Sequence, residues 1–378
     1  MAKHRFRPRL HSEWVLEKPS GEVLAMGEVL RLLAAVDTHG HISGACRERG
    51  MSYRHAWGML RKAETEFQTP LIETSRRRGS RLTSFAQHLL WANRRIEARL
   101  APTFESIASE LQEELQRLYS EESSLLRLHA SHGFAVEGLM QLAKDKDMLP
   151  LELRYRTGME ALASLSRGEC DLAGFQVPLG EYEPAFLQHY GHLLDPDRMV
   201  LIHMAERRTG LIVHPDNPKN IHRLQDLMRP EVRFVNRQLG SSTRYLVDLM
   251  LERAAIDSTQ ILGFDTGEFT HLAIAAHIAS GMADVGIGVE TAAWRCQLNF
   301  IPLARERYFF GINKELVGTA SLKHLLDLMQ GAAYQSYLAE LIGYDCRRMG
   351  EVQTLAQAFG EDFSPSLVAE KAASPLIQ

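Results

Sequence analysis

Cysteine is scarce and scattered: four in 378 residues (Cys46, Cys170, Cys296, Cys346), with no CxxC pair. That excludes a disulfide framework and a thiolate metal site, and it fits a reducing compartment, the cytoplasm. No apolar run approaches the ~20 residues that cross a bilayer, so no membrane partner is expected. The basic start MAKHRFRPRLHSEW lacks the apolar stretch of a secretory signal. The motifs of catalysis are missing too. There is no GxSxG, no Walker loop and no GxGxxG after the first strand of an α/β segment, so no catalytic residues and no cofactor are expected. Histidines come in loose pairs (His129 and His132, His189 and His192, His271 and His277) without HExxH or HxxxH spacing, so no metal is expected.

What is present is an ordinary globular composition, 45% hydrophobic and 24% charged, in a chain long enough for two or three domains. The net charge of −4 hides a split. Residues 1–100 carry 18 Lys and Arg against 10 Asp and Glu, whereas the rest carries 25 against 37. A basic front on an acidic body points to a polyanion-binding head, although any charge run can simply be a solvated face.

After a loose basic arm or edge strand over residues 1–20, a helical period begins at Glu22 and runs through Val29, Leu30, Leu33 and Val36 to a stop at Gly40. Ser43 can cap a short second helix, SGACRER, closed by Gly50. Ser52, within GMSYRHAWGMLRKAE, can cap a third from Tyr53 to about Phe67, whose stripe is Ala56, Met59, Leu60 and Ala63. Helix, tight turn, helix is the form of a helix-turn-helix. It places Ser52, Tyr53, Arg54 and His55 at the end that reads base edges, and Arg61 and Lys62 where phosphate contact is favoured. Trp57 reads as a core anchor. Two β-prone pieces, LIET and RLTS, then flank a tip with Arg76, Arg77, Arg78 and Arg81, a hairpin wing suited to a groove or backbone. Residues 85–122 follow as a long helix. Its apolar spacing (Phe85, Leu89, Ala92, Ile96, Leu100, Phe104, Ile107, Leu111, Leu115, Leu118) is near 3.5 and suits pairing of two chains, with Pro102 expected to kink or split it.

The run LRLLAAVDTHGHISGACRERGMSYRHAWGMLRKAETEFQTPLIE, followed by GSRLTSFAQHLL, resembles the winged helix-turn-helix of ModE, the molybdate-responsive regulator, over about Met26 to Ala98. The likeness departs at the wing tip, where SRRRGSR stands in place of a glycine-rich stretch. It implies a head that binds operator DNA.

From residue 123 onward short strands alternate with helices, which means α/β with largely parallel sheet, and about 250 residues of it would make two lobes with a cleft. Two loops there have the geometry of anion sites. In FVNRQLGSSTRYLVDLML a strand ends near Asn236 and a helix opens at Ser241, Ser242 and Thr243, with Arg237 and Arg244 close in sequence. In LHASHGFAVE a strand ends at Ser131 and His132 before Gly133 and another helix. A plain N-cap is the competing account of each. With ERRTGLIVHPDNP and THLAIAAHIASGMADVGIGVETAA, these stretches resemble the periplasmic-binding-protein-like domain of some bacterial regulators, related to molybdate-binding and LysR-type effector domains, over roughly Ser123 to Leu341. The familiar motif is NRQxGSGTR; Ser242 stands here at its second Gly. The resemblance implies a ligand set of Ser131, His132, Gln176, Arg207, Asn236, Ser241, Ser242, Thr243, Arg244 and Tyr308.

The expected fold is therefore multidomain: an all-α winged helix-turn-helix head (21–84), a linker and dimerisation helix (85–122), and an α/β two-lobe periplasmic-binding-protein-like domain (123–378, second lobe about 206–284). The expected function is ligand-responsive transcription regulation. The expected partners are operator double-stranded DNA, a small anionic effector (a molybdate- or tungstate-like oxyanion, or formate) and a second copy in a dimer or tetramer. The rivals are an anion-handling enzyme or storage protein with an acquired DNA-binding head, and a constitutive architectural DNA-binding protein with a vestigial cleft.

Overall fold

The structure, a computed structural model, describes residues 8–75, 79–119, 125–145, 151–360 and 363. It divides into two compact units, His11–Leu100 and the chain from Ala101 onward.

In the first unit strands β1 (Val15–Glu17) and β2 (Val23–Ala25) pair antiparallel, so residues 11–20 fold with the head instead of hanging from it. Helices α1 (Gly27–His39), α2 (Ile42–Arg49) and α3 (Tyr53–Phe67) follow, then the wing strands β3 (Ile72–Ser75) and β4 (Gly79–Leu82). The helical period starts later than Glu22 because Val23–Ala25 is claimed by the ribbon. Gly40 and Gly50 end α1 and α2 in the left-handed conformation. The cap position of α2 is His41, not Ser43, and its side chain makes no cap bond; Ser52 does cap α3, accepting from the His55 amide at 3.2 Å. One core holds the head together. Val29, Leu30, Leu32, Leu33 and Val36 of α1 meet Ala56, Leu60 and Ala63 of α3 and Leu71, Ile72 and Leu82 of the wing. Glu64 fixes the wing to α3 by accepting the Leu71 amide at 2.8 Å. Gly79 (φ +74°) lets the wing run against the α1–α2 turn, where a Cβ would lie 2.4 Å from the Gly40 carbonyl oxygen.

Helix α4 spans Ser84–Tyr119 without interruption. Pro102, expected to kink or split it, does not split it.

The second unit is built on one ten-stranded sheet. In chain order its elements are β5 (Leu126–Ala130), α5 (Phe134–Asp145), β6 (Leu151–Tyr155), α6 (Gly158–Ser166), β7 (Leu172–Pro178), α7 (Glu183–Tyr190), β8 (Met199–Val213), β9 (Phe234–Arg237), α8 (Ser242–Arg253), β10 (Gly267–Glu268), α9 (His271–Ala279), β11 (Val285–Val289), α10 (Glu290–Arg295), β12 (Asn299–Asn313), α11 (Ala320–Gln330), α12 (Ala332–Ala339), β13 (Tyr344–Asp345), β14 (Val352–Gln353) and α13 (Leu355–Phe359). Strand order is β10-β9-β11-β8-β12-β7-β5-β6, with β13 and β14 on β8.

Two long antiparallel strands, β8 and β12, make this one sheet into two lobes. Residues 306–312 of β12 pair with β7, followed outward by β5 and then β6; residues 209–213 of β8 pair with β11, followed outward by β9 and then β10. The sequence pattern suggests separate strands at MVLIHMA and TGLIVHP because charged Glu206, Arg207 and Arg208 intervene, yet β8 is continuous and those charges sit at the crossing. The segment ILGF is a turn, with Gly263 at φ +88° and the Phe234 amide donating to the Leu262 carbonyl at 2.8 Å. Helix α8 packs on both lobes, Leu246 and Met250 in one core and Val247 and Leu251 in the other.

Candidate functional site: an arginine-floored cleft and an exposed recognition helix

Helix geometry leaves the first amides of each helix without internal partners and concentrates positive potential there. In the second unit four helix N-termini reach one cleft of about 470 Å³. Ser131 and His132 precede α5, Thr157 caps α6, Ser241 caps α8, and His271 opens α9; all line the cleft. Of the predicted ligand set, Ser131, His132, Gln176, Arg207, Ser241, Ser242 and Thr243 lie together here. Asn236, Arg244 and Tyr308 do not line it. Asn236 is buried and spends its amide on the Phe264 carbonyl. Arg244 turns back to Asp248 at 3.2 Å and lies over the Phe264 ring at 4.1 Å. Tyr308 is buried with the Arg207 guanidinium 5.7 Å from its ring centre. Asn236 and Arg244 follow the motif in sequence, but their side chains are spent on packing, and the buried Tyr308 hydroxyl has no hydrogen-bond partner among the described residues.

Several lining side chains are already engaged. Gln176 donates to Ser131 Oγ at 2.6 Å, Ser242 Oγ shares a 3.0 Å hydrogen bond with the Tyr190 hydroxyl, and Ser241 Oγ accepts the Arg244 amide. Ser242, which stands at the glycine of the familiar motif, thus ties α8 to α7. Gly158 explains the fit: a Cβ there would stand 3.0 Å from the Tyr190 hydroxyl and 3.2 Å from Ser242 Oγ.

The electrostatics come from two buried arginines. Arg207 donates through Nε to Glu306 at 3.0 Å, and Thr209 donates to the same carboxylate oxygen at 2.8 Å. Burial pulls the Arg207 pKa down, but the charges of Glu306 and Tyr344 outweigh it and hold the pKa up. Arg237, only 3% exposed, has no carboxylate hydrogen-bonded to it among the described residues, although the charge of Glu268 partly offsets its burial. Its Nη1 donates to the Glu268 carbonyl at 3.0 Å and its Nε is unsatisfied. Burial first, then Arg207, lowers its pKa to about 9. The sequence gave a signal for Arg237, since it sits inside the loop motif, but strand alternation did not tell which way it points. His271, Tyr155, Arg156, Thr157 and Phe269 also line the cleft and carried no motif.

The cleft histidines are neutral near neutrality. Burial, then Arg237 and Arg295, lowers His132 to about 4; burial, then Arg237, keeps His271 far below its usual range. Elsewhere in the unit His203, 1% exposed with both ring nitrogens unpartnered, is lowered to about 4 by burial and then by Arg348. A base with a depressed folded pKa is protonated first in the unfolded chain, so the stability it allows is present above about pH 6.5 and lost as pH falls toward 4. Thermal unfolding should show a lower Tm at pH 5 than at pH 7, with a smaller difference in His203→Gln. An equal drop in that variant would remove His203 from the account.

On the head, Ser52, Tyr53, Arg54, His55, Arg61, Lys62 and Arg81 are all exposed. Arg54, Arg61, Lys62 and Arg81 make no ion pair among the described residues. A shallow surface depression is lined by Ser52, Arg54, His55, Gly58, Met59 and Lys62. Trp57 is half buried against the core, edge-on to Tyr53 at 6.2 Å. Arg76, Arg77 and Arg78 lie outside the described residues.

Residues 28–87 match the model described as bacterial regulatory helix-turn-helix protein, lysR family. Residues 139–330, half of the chain, match the PBP superfamily domain, and the chain belongs to that superfamily. It is 30% identical over 202 residues to Uncharacterized protein YvgK of Bacillus subtilis (strain 168), covering 53% of this chain and 64% of that one, so it spans somewhat under two thirds of that relative. Over 49 residues, 13% of this chain and 18% of the other, it is 43% identical to Molybdenum-pterin-binding protein MopA of Rhodobacter capsulatus. A hydrogen-peroxide-bound OxyR variant of Corynebacterium glutamicum is similar at 16% identity and a TM-score of 0.40, over 82% of this chain and 92% of that one. No helix among the described residues is long and apolar enough to cross a membrane.

Proposed function

We propose that the chain works in the cytoplasm as a homo-oligomeric regulator whose cleft senses a small anion, of the molybdate or tungstate class or formate. The observation that carries this is Arg237: a guanidinium 3% exposed, with an unsatisfied Nε and no carboxylate hydrogen-bonded to it, lining a cleft where four helix N-termini meet. An anion there satisfies the arginine and the leftover amides together. The choice of molybdate within that class is supported by the ModE-like run of the head and by the short similarity to a protein named for binding molybdenum-pterin.

Operator DNA meets the N-terminal end of α3, with Tyr53, Arg54 and His55 at base edges and Arg61, Lys62, Arg81 and the wing arginines on phosphates. A second copy pairs along α4, where Leu100 and Leu111 are exposed apolar residues on the 3.5-residue repeat. An effector that prefers the closed cleft shifts the population of lobe arrangements and with it the DNA affinity.

A thermal-shift screen of molybdate, tungstate, sulfate, phosphate and formate tests the cleft. At least one should raise Tm, and Ser241→Ala should shrink that rise as well as lowering the ligand-free Tm by removing a cap worth about 1 kcal/mol. No rise with any of the five would sink the anion assignment. Arg54→Ala should weaken operator binding by roughly 1–3 kcal/mol and relax sequence preference. Arg81→Ala should weaken all sequences alike and flatten the salt dependence. Equal wild-type affinity for operator and random DNA rules out the proposed base readout.

A further inference from the structure

The lobes do not supply the whole wall of the cleft. Pro102, Thr103, Ser106 and Ile107 of α4 line it as well. Three contacts hold that stretch in place. Ser106 Oγ accepts the Tyr155 amide at 3.2 Å, Ser109 Oγ accepts the Leu153 amide at 2.9 Å, and the Glu105 carboxylate accepts the Tyr155 hydroxyl. The outer edge of β6 is thereby satisfied by helix side chains instead of water. Tyr155 also lines the cleft, its ring 5.1 Å from that of His132. Helix α4 is therefore a built part of the site, anchored on both sides of Ser106.

On the second lobe, two large apolar side chains stand uncovered in the same cleft, Leu239 at 79% exposure and Phe269 at 53%. Leu239 lies in the turn between β9 and α8, next to Arg237 and Gly240, and no core cluster includes it. Ile107, across the cleft lining on α4, is 41% exposed. Apolar surface on both sides of a polar floor is removed from water only if the cleft narrows.

We propose that the linker helix is part of the effector site. Thr103, Ser106 and Ile107 face the bound effector and help set its specificity, and Leu239 and Phe269 close against them when the floor is occupied. This rests on the anion-site assignment above and adds how occupancy is felt. The wall that the effector touches belongs to the same continuous helix that begins at Ser84 in the head. A ligand favouring the narrowed cleft biases that helix directly, and by linkage the helix biases the ligand affinity in return.

The test uses the full chain carrying Thr103→Cys with Leu239→Cys. Cys46, Cys170 and Cys296 are buried and Cys346 is partly buried, so single-cysteine variants serve as background. Disulfide formation under mild oxidation is timed with and without each anion of the five-member screen. The anion that raises the wild-type Tm should speed cross-linking several-fold, and should leave the rate unchanged for Glu110→Cys with Leu239→Cys, since Glu110 does not line the cleft. Thr103→Val should change the affinity for that anion by several-fold. A cross-linking rate indifferent to a stabilising anion, or an unchanged affinity in Thr103→Val, overturns the role of α4 while leaving the anion site standing. If no anion stabilises the protein, or Arg237→Met keeps the full stabilisation, the anion site fails and this inference with it. Should the first pair not fold, Ile107→Cys with Phe269→Cys carries the same test and the same outcomes.

Discussion

Replacing Glu306 with alanine should cost the second unit about 3–5 kcal/mol of stability, the usual loss when one member of a buried ion pair is removed. Glu306 is completely buried on β12, directly across from Arg207 on β8, where both long strands pass between the lobes. Its Oε2 takes bonds from Arg207 Nε and Thr209 Oγ1, and its charge compensates Arg207 and, after that of Glu268, Arg237. Without it Arg207 keeps its charge and loses its acceptor, and repulsion from Arg237 is no longer screened. Glu306→Gln, which keeps an acceptor for Thr209, should lose less. Urea unfolding measures both. A loss near that of an exposed pair, under about 1 kcal/mol, would mean that water reaches the crossing and that the pair is not buried in solution.

Arg237→Met should act in opposite directions on stability and binding. In the ligand-free protein the guanidinium is held charged in a place that lowers its pKa to about 9. Exchanging it for an apolar chain of similar length should raise stability by on the order of 1–3 kcal/mol. The same change should weaken the anion by roughly 30-fold or more, because a desolvated charged hydrogen bond disappears. Thermal unfolding without ligand and calorimetric titration with the anion that stabilises wild type read the two effects. A lower Tm with an unchanged titration would make Arg237 a structural arginine bonded to the Glu268 carbonyl and nothing more. A gain in one and loss in the other is the signature of a residue kept for its ligand.

Much of this was legible in the residues because it is local. The caps and stops of the head, Ser52 and the glycines at 40 and 50, are sequence signals with a direct conformational cause. The charge split and the exposed face of α3 follow from where Arg and Lys fall on a 3.6-residue period. Strand–helix alternation announces an α/β body with its small-residue loops at helix N-termini. Ser131, Ser241, Ser242 and Thr243 were within reach for that reason: the loop that precedes a helix is where its free amides are.

Other features depended on what lies across the fold. Pro102 looked like a break, and nothing near it in sequence foretold that Ser106 and Ser109 would be held by β6, some forty-five residues on. Arg244 was placed in the site by motif position and Tyr308 as a strand end between the lobes, but which way a side chain faces decides between cleft and core, and Arg244 packs over Phe264 while Tyr308 is buried beside Arg207. Arg237 was equally ambiguous until β9 was paired with β10 and β11.

By itself, then, the sequence determined a basic helix-turn-helix head with a wing, a long heptad-patterned helix, and an α/β body whose helix-opening loops invite an anion. Those properties arise from periodicity, capping and composition, which act over a few residues. The tertiary structure decided which arginine stays unpaired on the cleft floor, which carboxylate compensates its neighbour, and that the linker helix forms a wall of the cleft. Those are consequences of strands and helices meeting from distant parts of the chain, where burial sets the strength of a charge and a crossing sets its partner.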